Sequence, residues 1–93
     1  MHYTYILVSH HDRRFYTGCS CDLRQRLREH RAGPVRSTAY RQPVQHVYYE
    51  ACLSRDDALR RERFLKTGKG KRYLRNRLAG FLSSVRQNKL ERH

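Results

Sequence analysis

The segment at residues 3–9 constrains the fold most, because it is apolar on both sides of a predicted β-strand. It reads Tyr-Thr-Tyr-Ile-Leu-Val-Ser, and aromatic and β-branched residues of this kind favour extended backbone. Successive side chains of a strand point to opposite faces, so Tyr3, Tyr5 and Leu7 share one face and the intervening residues share the other. A strand that is apolar on both faces must pack against other parts of the protein on both of them. We therefore predict that it lies at the centre of a sheet.

The other predicted elements complete a small α+β domain. A polar turn at residues 10–13 and a short strand at residues 14–18 make a β-hairpin with the first strand. A helix follows the N-cap residue Asp22, with Gln25 as its capping-box partner. A third strand is predicted at residues 46–52, and two more helices at residues 56–66 and 71–82.

The predicted order, β-β-α-β-α-α, does not alternate strictly. It favours an α+β fold with a small three-stranded, largely antiparallel sheet flanked by helices over a doubly wound fold. A chain of 93 residues has room for one core. We expect residues 1–82 to form that single domain and residues 83–93 to be a polar, frayed tail.

The charge of the chain points to a polyanionic partner. Lys and Arg number 21 against 8 Asp and Glu, which gives a formal net charge of +13. An excess of this size repels itself in the folded state and favours nucleic acid as the partner, although a merely solvated basic surface is the alternative. No apolar run approaches the roughly 18 residues of a membrane span, and no export signal opens the chain. We expect a cytoplasmic protein without a membrane partner.

The three cysteines, Cys19, Cys21 and Cys52, are expected to be reduced thiols. Cys19 and Cys21 form a C-x-C pair, which differs from the C-x-x-C of zinc ribbons. A zinc site that adds His30 and His46 is an alternative interpretation.

Glu62 breaks the pattern of the second predicted helix. It lies at the centre of an apolar stripe that Ala58, Leu59 and Leu65 define. A carboxylate on such a face costs several kcal/mol unless it is paired, protonated or bound to a cation. A salt bridge to one of the many arginines is one interpretation, and a metal ligand is the other.

Similar exceptions occur on the first helix and on the hairpin. His30 shares an apolar stripe with two leucines, and Arg26 flanks it, although a buried structural histidine is the alternative. Tyr5 and Tyr16 are eleven residues apart on paired strands, so we expect their hydroxyl groups to be within reach of each other unless they simply pack. We also expect the nearby arginine charge to favour the Tyr5 phenolate.

These residue types meet the needs of phosphodiester hydrolysis. The reaction needs a cation on the phosphoryl oxygens, a group that takes a proton from water, and stabilisation of the charged transition state. One carboxylate can hold a hard cation such as Mg²⁺ or Mn²⁺, with water and substrate oxygens as the remaining ligands. The sequence offers no second carboxylate near Glu62 that would build a two-metal site.

The spacing of these residues resembles that of the GIY-YIG nuclease family, in particular its small single-domain bacterial members. The resemblance covers residues 3–78 and rests on Tyr3-Thr4-Tyr5, Tyr16-Thr17-Gly18, Arg26, His30, Glu62 and residues 64–70. The first motif reads Tyr-Thr-Tyr where the family has Gly-Ile-Tyr, and both tyrosines of the paired motifs are kept.

The resemblance implies a metal-dependent endonuclease and a role for each site residue. Tyr5 would be the general base, directly or through a hydrogen-bonded partner, and Tyr16 would help to position the water or the base. Arg26 would bind the scissile phosphate, His30 would assist proton transfer, and Glu62 would hold the metal. DNA is implied more than RNA, with a further protein as a possible targeting partner. The nucleic-acid contacts are assigned to Arg26, Arg36, Arg41, Lys66, Lys69 and Lys71.

Two other functions remain open at this point. A nucleic-acid-binding module that does not cut, or cuts only with a partner, would explain the charge equally well. A structural or ribosome-associated role would leave Glu62 unexplained. Residues 67–71 (Thr-Gly-Lys-Gly-Lys) lack the spacing of a phosphate-binding P-loop, so we interpret them as a junction between two helices.

Overall fold

The fold is a three-stranded antiparallel sheet with helices on both faces. The computed structural model of the protein describes residues 1–32 and 43–91, with side chains as far as residue 85. The elements in chain order are β1 (His2–Ser9), β2 (Phe15–Ser20), α1 (Leu23–Ala32), β3 (Val44–Cys52), α2 (Arg55–Leu65), α3 (Gly68–Arg77) and α4 (Ala79–Glu91). The sheet order is β2-β1-β3, and both pairings are antiparallel. The predicted α+β class and the central position of the first strand are confirmed.

The main core lies on the face of β1 that carries Ile6. This side chain is fully buried against Leu65 of α2 and against Leu74 and Leu78 of α3 and its end. On the same face the Thr4 hydroxyl donates a 2.9 Å hydrogen bond to the carbonyl oxygen of Ala58. The polar atom of Thr4 is thereby satisfied inside the core, and α2 is fixed against the middle of the sheet.

The helix starts follow local capping rules. The backbone N–H of Gln25 donates to Asp22 Oδ1 at 3.1 Å, and that of Asp57 donates to Ser54 Oγ at 3.4 Å. These bonds satisfy amide groups that have no partner within the helix. The observed β3 begins two residues before the predicted strand, which is a difference in its boundary only.

The junction between α2 and α3 differs from the prediction. Thr67 caps α3 by accepting from the Gly70 amide at 3.1 Å, so the helix starts at Gly68 and includes both glycines. A Cβ at Gly70 would collide with the backbone of Phe64 and Leu65, which explains a glycine inside a helix. Gly70 therefore serves close helix packing, whereas an added Cβ at Gly68 would meet no atom within 4 Å.

The end of the chain also differs from the expectation. The predicted helix over 71–82 is two helices, because α3 ends at Arg77 and Leu78 has non-helical backbone angles of −104° and 22°. The residues predicted to be a frayed tail continue in α4 as far as Glu91. No helix in the described ranges is long and apolar enough to cross a membrane.

Candidate functional site

A single open cleft collects most of the predicted site residues. It has a volume of about 430 Å³ and lies between the β1–β2 hairpin, α1 and the end of α2. We call it the tyrosine cleft. The predicted residues that line it are Tyr5, Tyr16, Arg26, His30, Glu62, Lys66 and Lys71. Residues from β1, β2, α1, α3 and the end of α2 therefore face the same solvent-accessible space.

Tyr5 and His30 form a buried pair at the base of this cleft. The Tyr5 hydroxyl oxygen lies 2.9 Å from His30 Nε2, and the two rings meet edge to face with centroids 5.7 Å apart. Tyr5 is 2% exposed and His30 is 4% exposed. The strand partner of Tyr5 is Gly18, where an added Cβ would stand 2.5 Å from the Tyr5 hydroxyl. The missing side chain of Gly18 therefore makes room for the phenol ring.

The surroundings of this pair keep both groups neutral near pH 7. Burial raises the pKa of Tyr5 above its usual value, and the charge of Arg26 offsets this only in part. Arg26 does favour the Tyr5 phenolate, as expected, through a hydrogen bond and its charge, but desolvation is the larger effect and the pKa of Tyr5 is raised overall. Burial, followed by the charge of Arg26, lowers the pKa of His30. A neutral imidazole can accept a proton from a neutral phenol.

Tyr16 is on the same face of the sheet as Tyr5 but has a different partner. Tyr16 pairs with Leu7 across the hairpin, which places it diagonally from Tyr5. Its hydroxyl donates a 2.5 Å hydrogen bond to Asp12 Oδ2 in the hairpin turn. The predicted contact between the two tyrosine hydroxyls is therefore replaced by a bond from each to its own partner, His30 or Asp12. The sequence reasoning missed Asp12 because an aspartate in a turn is also a common turn former.

The charged groups of the tyrosine cleft are held by partners on their own helices. Arg26 Nη1 lies 2.8 Å from Glu29 Oε2 on α1, and this bond raises the pKa of the guanidinium. Lys66 is the C-cap of α2, and its Nζ lies 3.6 Å from Oε2 of Glu62, one turn earlier in the helix. The Glu62 side chain is 20% exposed at the cleft surface. The predicted salt bridge of Glu62 therefore exists, but to a lysine and at a long distance.

The donor set at Glu62 fits one hard divalent cation. Glu62 offers a partly exposed carboxylate whose only ion-pair partner among the described residues is Lys66. Mg²⁺ commonly binds through one or two carboxylates and keeps several water ligands, so one carboxylate on an open cleft is sufficient. Residues 1–32 and 43–91 contain no cluster of three or more His, Cys, Asp or Glu groups that could form a closed metal cage. The alternative zinc site therefore has no such cluster in the part of the chain that is described.

Several predicted contacts lie elsewhere. Arg36 and Arg41 are outside the described residues. Lys69 is exposed in the first turn of α3 and does not line the tyrosine cleft. Cys19, which the sequence suggested only as a reduced thiol or a ligand of the alternative zinc site, also lines the cleft, and burial raises the pKa of its thiol. It donates to the Ala58 carbonyl oxygen at 3.2 Å, which marks it as a structural residue of the cleft wall.

Comparison with known proteins gives one consistent result. The family described as the GIY-YIG catalytic domain matches residues 1–84. A UPF0213 protein of Haloquadratum walsbyi is 43% identical over 67 residues, which cover 71% of this chain and 74% of the relative. A UPF0213 protein of Streptococcus pyogenes serotype M5 is 34% identical over 88 residues, which cover 94% and 90%. No solved structure shows a significant match.

Proposed function

The chain belongs to the GIY-YIG family, and from this premise we propose that it is a metal-dependent endonuclease. It would hydrolyse phosphodiester bonds in nucleic acid, DNA in preference to RNA, with one divalent cation. The observation that carries the proposal is the tyrosine cleft, where a phenol–imidazole pair, a guanidinium and a carboxylate face one space. Three free thiols support a reducing compartment such as the cytoplasm, and a further protein would choose the target.

Tyr5 and His30 supply the proton transfer in this proposal. The attacking water gives a proton to the Tyr5 oxygen while the Tyr5 hydroxyl passes its own proton to His30 Nε2, 2.9 Å away. The raised pKa of Tyr5 keeps its phenol protonated, so it can take a proton from water only as the neutral His30 takes the phenolic proton. Proton transfer by positioned groups of this kind contributes about 10²–10⁴-fold to a rate.

Arg26, Lys66 and Glu62 act on the phosphate. Arg26 and Lys66 present positive charge where the phosphoryl oxygens gain negative charge in the transition state. Glu62 would hold the cation, which when bound supplies further charge stabilisation and lowers the pKa of water. Glu29 holds the Arg26 guanidinium at the cleft edge until substrate arrives. Tyr16, anchored by Asp12, would orient the water from the hairpin side.

Cleavage of labelled DNA and RNA in Mg²⁺, Mn²⁺ and EDTA tests the proposal. The substrates are a single strand, a duplex and a flap, and the variants are Glu62→Gln and the matched control Asp56→Asn. Asp56 is an exposed carboxylate in the first turn of the same helix. Cleavage that requires metal, is lost in Glu62→Gln and persists in Asp56→Asn supports the nuclease. Oligonucleotide binding without cleavage in any metal would leave the binding module as the function.

A further inference from the structure

A second cleft adjoins the tyrosine cleft and has a different character. We call it the turn cleft, and it lies between the β1–β2 turn, α3 and the start of α4, with a volume of about 770 Å³. Its basic wall contains Arg13, Arg14, Lys71 and Arg75, and Phe15 and Phe81 form part of an apolar floor. Phe15, Tyr16 and Lys71 line both clefts, so the two form a continuous surface.

The side-chain cations of the turn cleft form no ion pairs among the described residues. No Asp or Glu lines the turn cleft in this part of the chain. None of the four cations forms an ion pair there, whereas Arg26, Arg60, Arg61 and Lys66 are each paired with a carboxylate elsewhere. Unpaired cations gathered in one concavity repel each other, and an anion bound among them relieves that repulsion.

The turn that carries Arg13 and Arg14 is held in place before any ligand binds. The amides of His11 and Asp12 donate to Ser9 Oγ at 3.0 and 3.2 Å, and the Arg14 amide donates to Asp12 Oδ1 at 2.9 Å. Arg13 has a φ of 62°, in the left-handed region that non-glycine residues rarely adopt. The two guanidinium groups therefore project from a preorganised turn, which reduces the entropy lost on binding.

The combination of cations and aromatic rings identifies the ligand class. Backbone phosphates are bound by positive charge, and unpaired bases stack on exposed aromatic faces. A duplex offers its phosphates but keeps its bases stacked inside, so an apolar floor would gain nothing from it. We propose that the turn cleft binds an unpaired nucleotide segment of the strand whose neighbouring phosphate lies in the tyrosine cleft. The placement beside the scissile phosphate rests on the proposed function, and the binding itself does not.

Binding of fluorescent oligonucleotides in EDTA tests this proposal without cleavage. The probes are a thymidine 12-mer, an abasic 12-mer of equal charge, and a 12-base-pair duplex. The double variant Arg13→Asn/Arg75→Gln removes two cations, and asparagine is chosen because it tolerates a positive φ. The matched control is Arg63→Gln/Arg72→Gln, which also removes two exposed cations, and neither residue lines a cleft.

The double variant should weaken binding of the thymidine 12-mer roughly tenfold or more. Its plot of log K against log salt should be shallower by about 0.7 for each of the two lost phosphate contacts. The control should bind within about twofold of the wild type, because solvated cations outside the cleft make no phosphate contact. Equal losses in the double variant and the control, or equal losses for duplex and single strand, would overturn the proposal.

Phe81→Leu separates base stacking from charge, because leucine keeps the apolar volume and removes the aromatic face. It should weaken binding of the thymidine 12-mer about fivefold or more and leave the abasic 12-mer unchanged, as expected when a stacking partner is lost. The matched control is Phe64→Leu, which removes a partly exposed ring that lies against Arg61, away from both clefts. Equal effects on both probes would refute base stacking, and thermal unfolding of each variant verifies the fold.

The two proposals fail in different ways. If no metal-dependent cleavage is detected but the oligonucleotides bind as predicted, the nuclease proposal is wrong and the turn cleft remains a nucleotide-binding site. Cleavage that depends on Glu62, with no effect of the turn-cleft variants on binding, would remove only the turn cleft. Failure of every oligonucleotide to bind would overturn the turn-cleft proposal outright.

Discussion

Replacement of Gly18 by alanine should disturb the buried phenol at the base of the tyrosine cleft. A Cβ at this position would stand 2.5 Å from the Tyr5 hydroxyl and 2.6 Å from Tyr5 Cζ. Non-bonded heavy atoms prefer separations of about 3.5–4.0 Å, so the ring or the strand must move by about 1 Å. Tyr5 is 2% exposed, which leaves little space for that movement.

The destabilisation expected from overpacking is partly offset by the stabilisation that alanine gives over glycine in the backbone. Overpacking of a buried site costs about 1–3 kcal/mol, while glycine-to-alanine replacement at a compatible position stabilises by about 0.4–1 kcal/mol. The net loss should be about 1–2 kcal/mol, which lowers the Tm of a domain of this size by roughly 5–15 °C. A shift of 1 Å also exceeds what the 2.9 Å bond between Tyr5 and His30 can absorb.

Thermal unfolding followed by circular dichroism measures the first effect, and the ring-proton NMR signals of His30 report the second. Gly80→Ala is the matched control, because the same added methyl group on α4 meets no atom within 4 Å. This control should raise stability by about 0.5–1 kcal/mol, since alanine is the better helix former. If Gly18→Ala were as stable as Gly80→Ala with unchanged His30 signals, the packing argument for Gly18 would be wrong.

Three further results are expected. Tyr5→Phe should cost about 1–2 kcal/mol because it removes the hydrogen bond to His30 Nε2, and it should lower the cleavage rate about 100-fold or more. Tyr49→Phe, at a ring that is 52% exposed, should leave both quantities unchanged; equal cleavage by the two variants would refute the proton-transfer role. Because burial holds the pKa of His30 below its usual value, the stability linked to its neutral form is complete above about pH 6.5 and is lost as the pH falls. Urea unfolding at pH 7.5 and at pH 5 measures this loss. The free energy of unfolding should fall less between the two pH values in His30→Gln than in the wild type, and equal decreases would contradict the prediction. Gly70→Ala should lower the Tm, in a thermal melt, by more than Gly18→Ala, because the added atom meets the rigid backbone of Phe64 and not a side chain; a wild-type melt would contradict the packing of α3 on α2.

Local sequence patterns were sufficient for much of the fold. The alternation at residues 3–9 predicted a central strand and Asp22 predicted the start of a helix, because strand faces and N-caps depend on neighbours within a few residues. The junction at residues 67–71 was harder. Its glycines are typical helix breakers, and only the approach of α3 to the backbone of α2 explains why Gly70 lies inside a helix.

The sequence predicted which residues form the candidate site better than it predicted the hydrogen bonds between them. The position of Glu62 on an apolar stripe indicated an unusual carboxylate, and the structure places it in the tyrosine cleft with Tyr5, Arg26 and His30. The partners of the tyrosines were not predictable, since hairpin register and the turn at Asp12 decide which hydroxyl meets which group. Arg13 and Arg75 carry no local signal at all, because a basic chain has many such residues.

The amino-acid sequence by itself determined the strand faces, the helix caps, the excess of positive charge and the family to which the chain belongs. Each of these follows from residue type and short-range spacing. The tertiary structure alone decided that Tyr5 is buried with a raised pKa and bonded to His30, and that unpaired cations and aromatic rings meet beside Tyr16. Desolvation and charge pairing are sums over residues distant in the chain, so they exist only once the sheet and helices have packed.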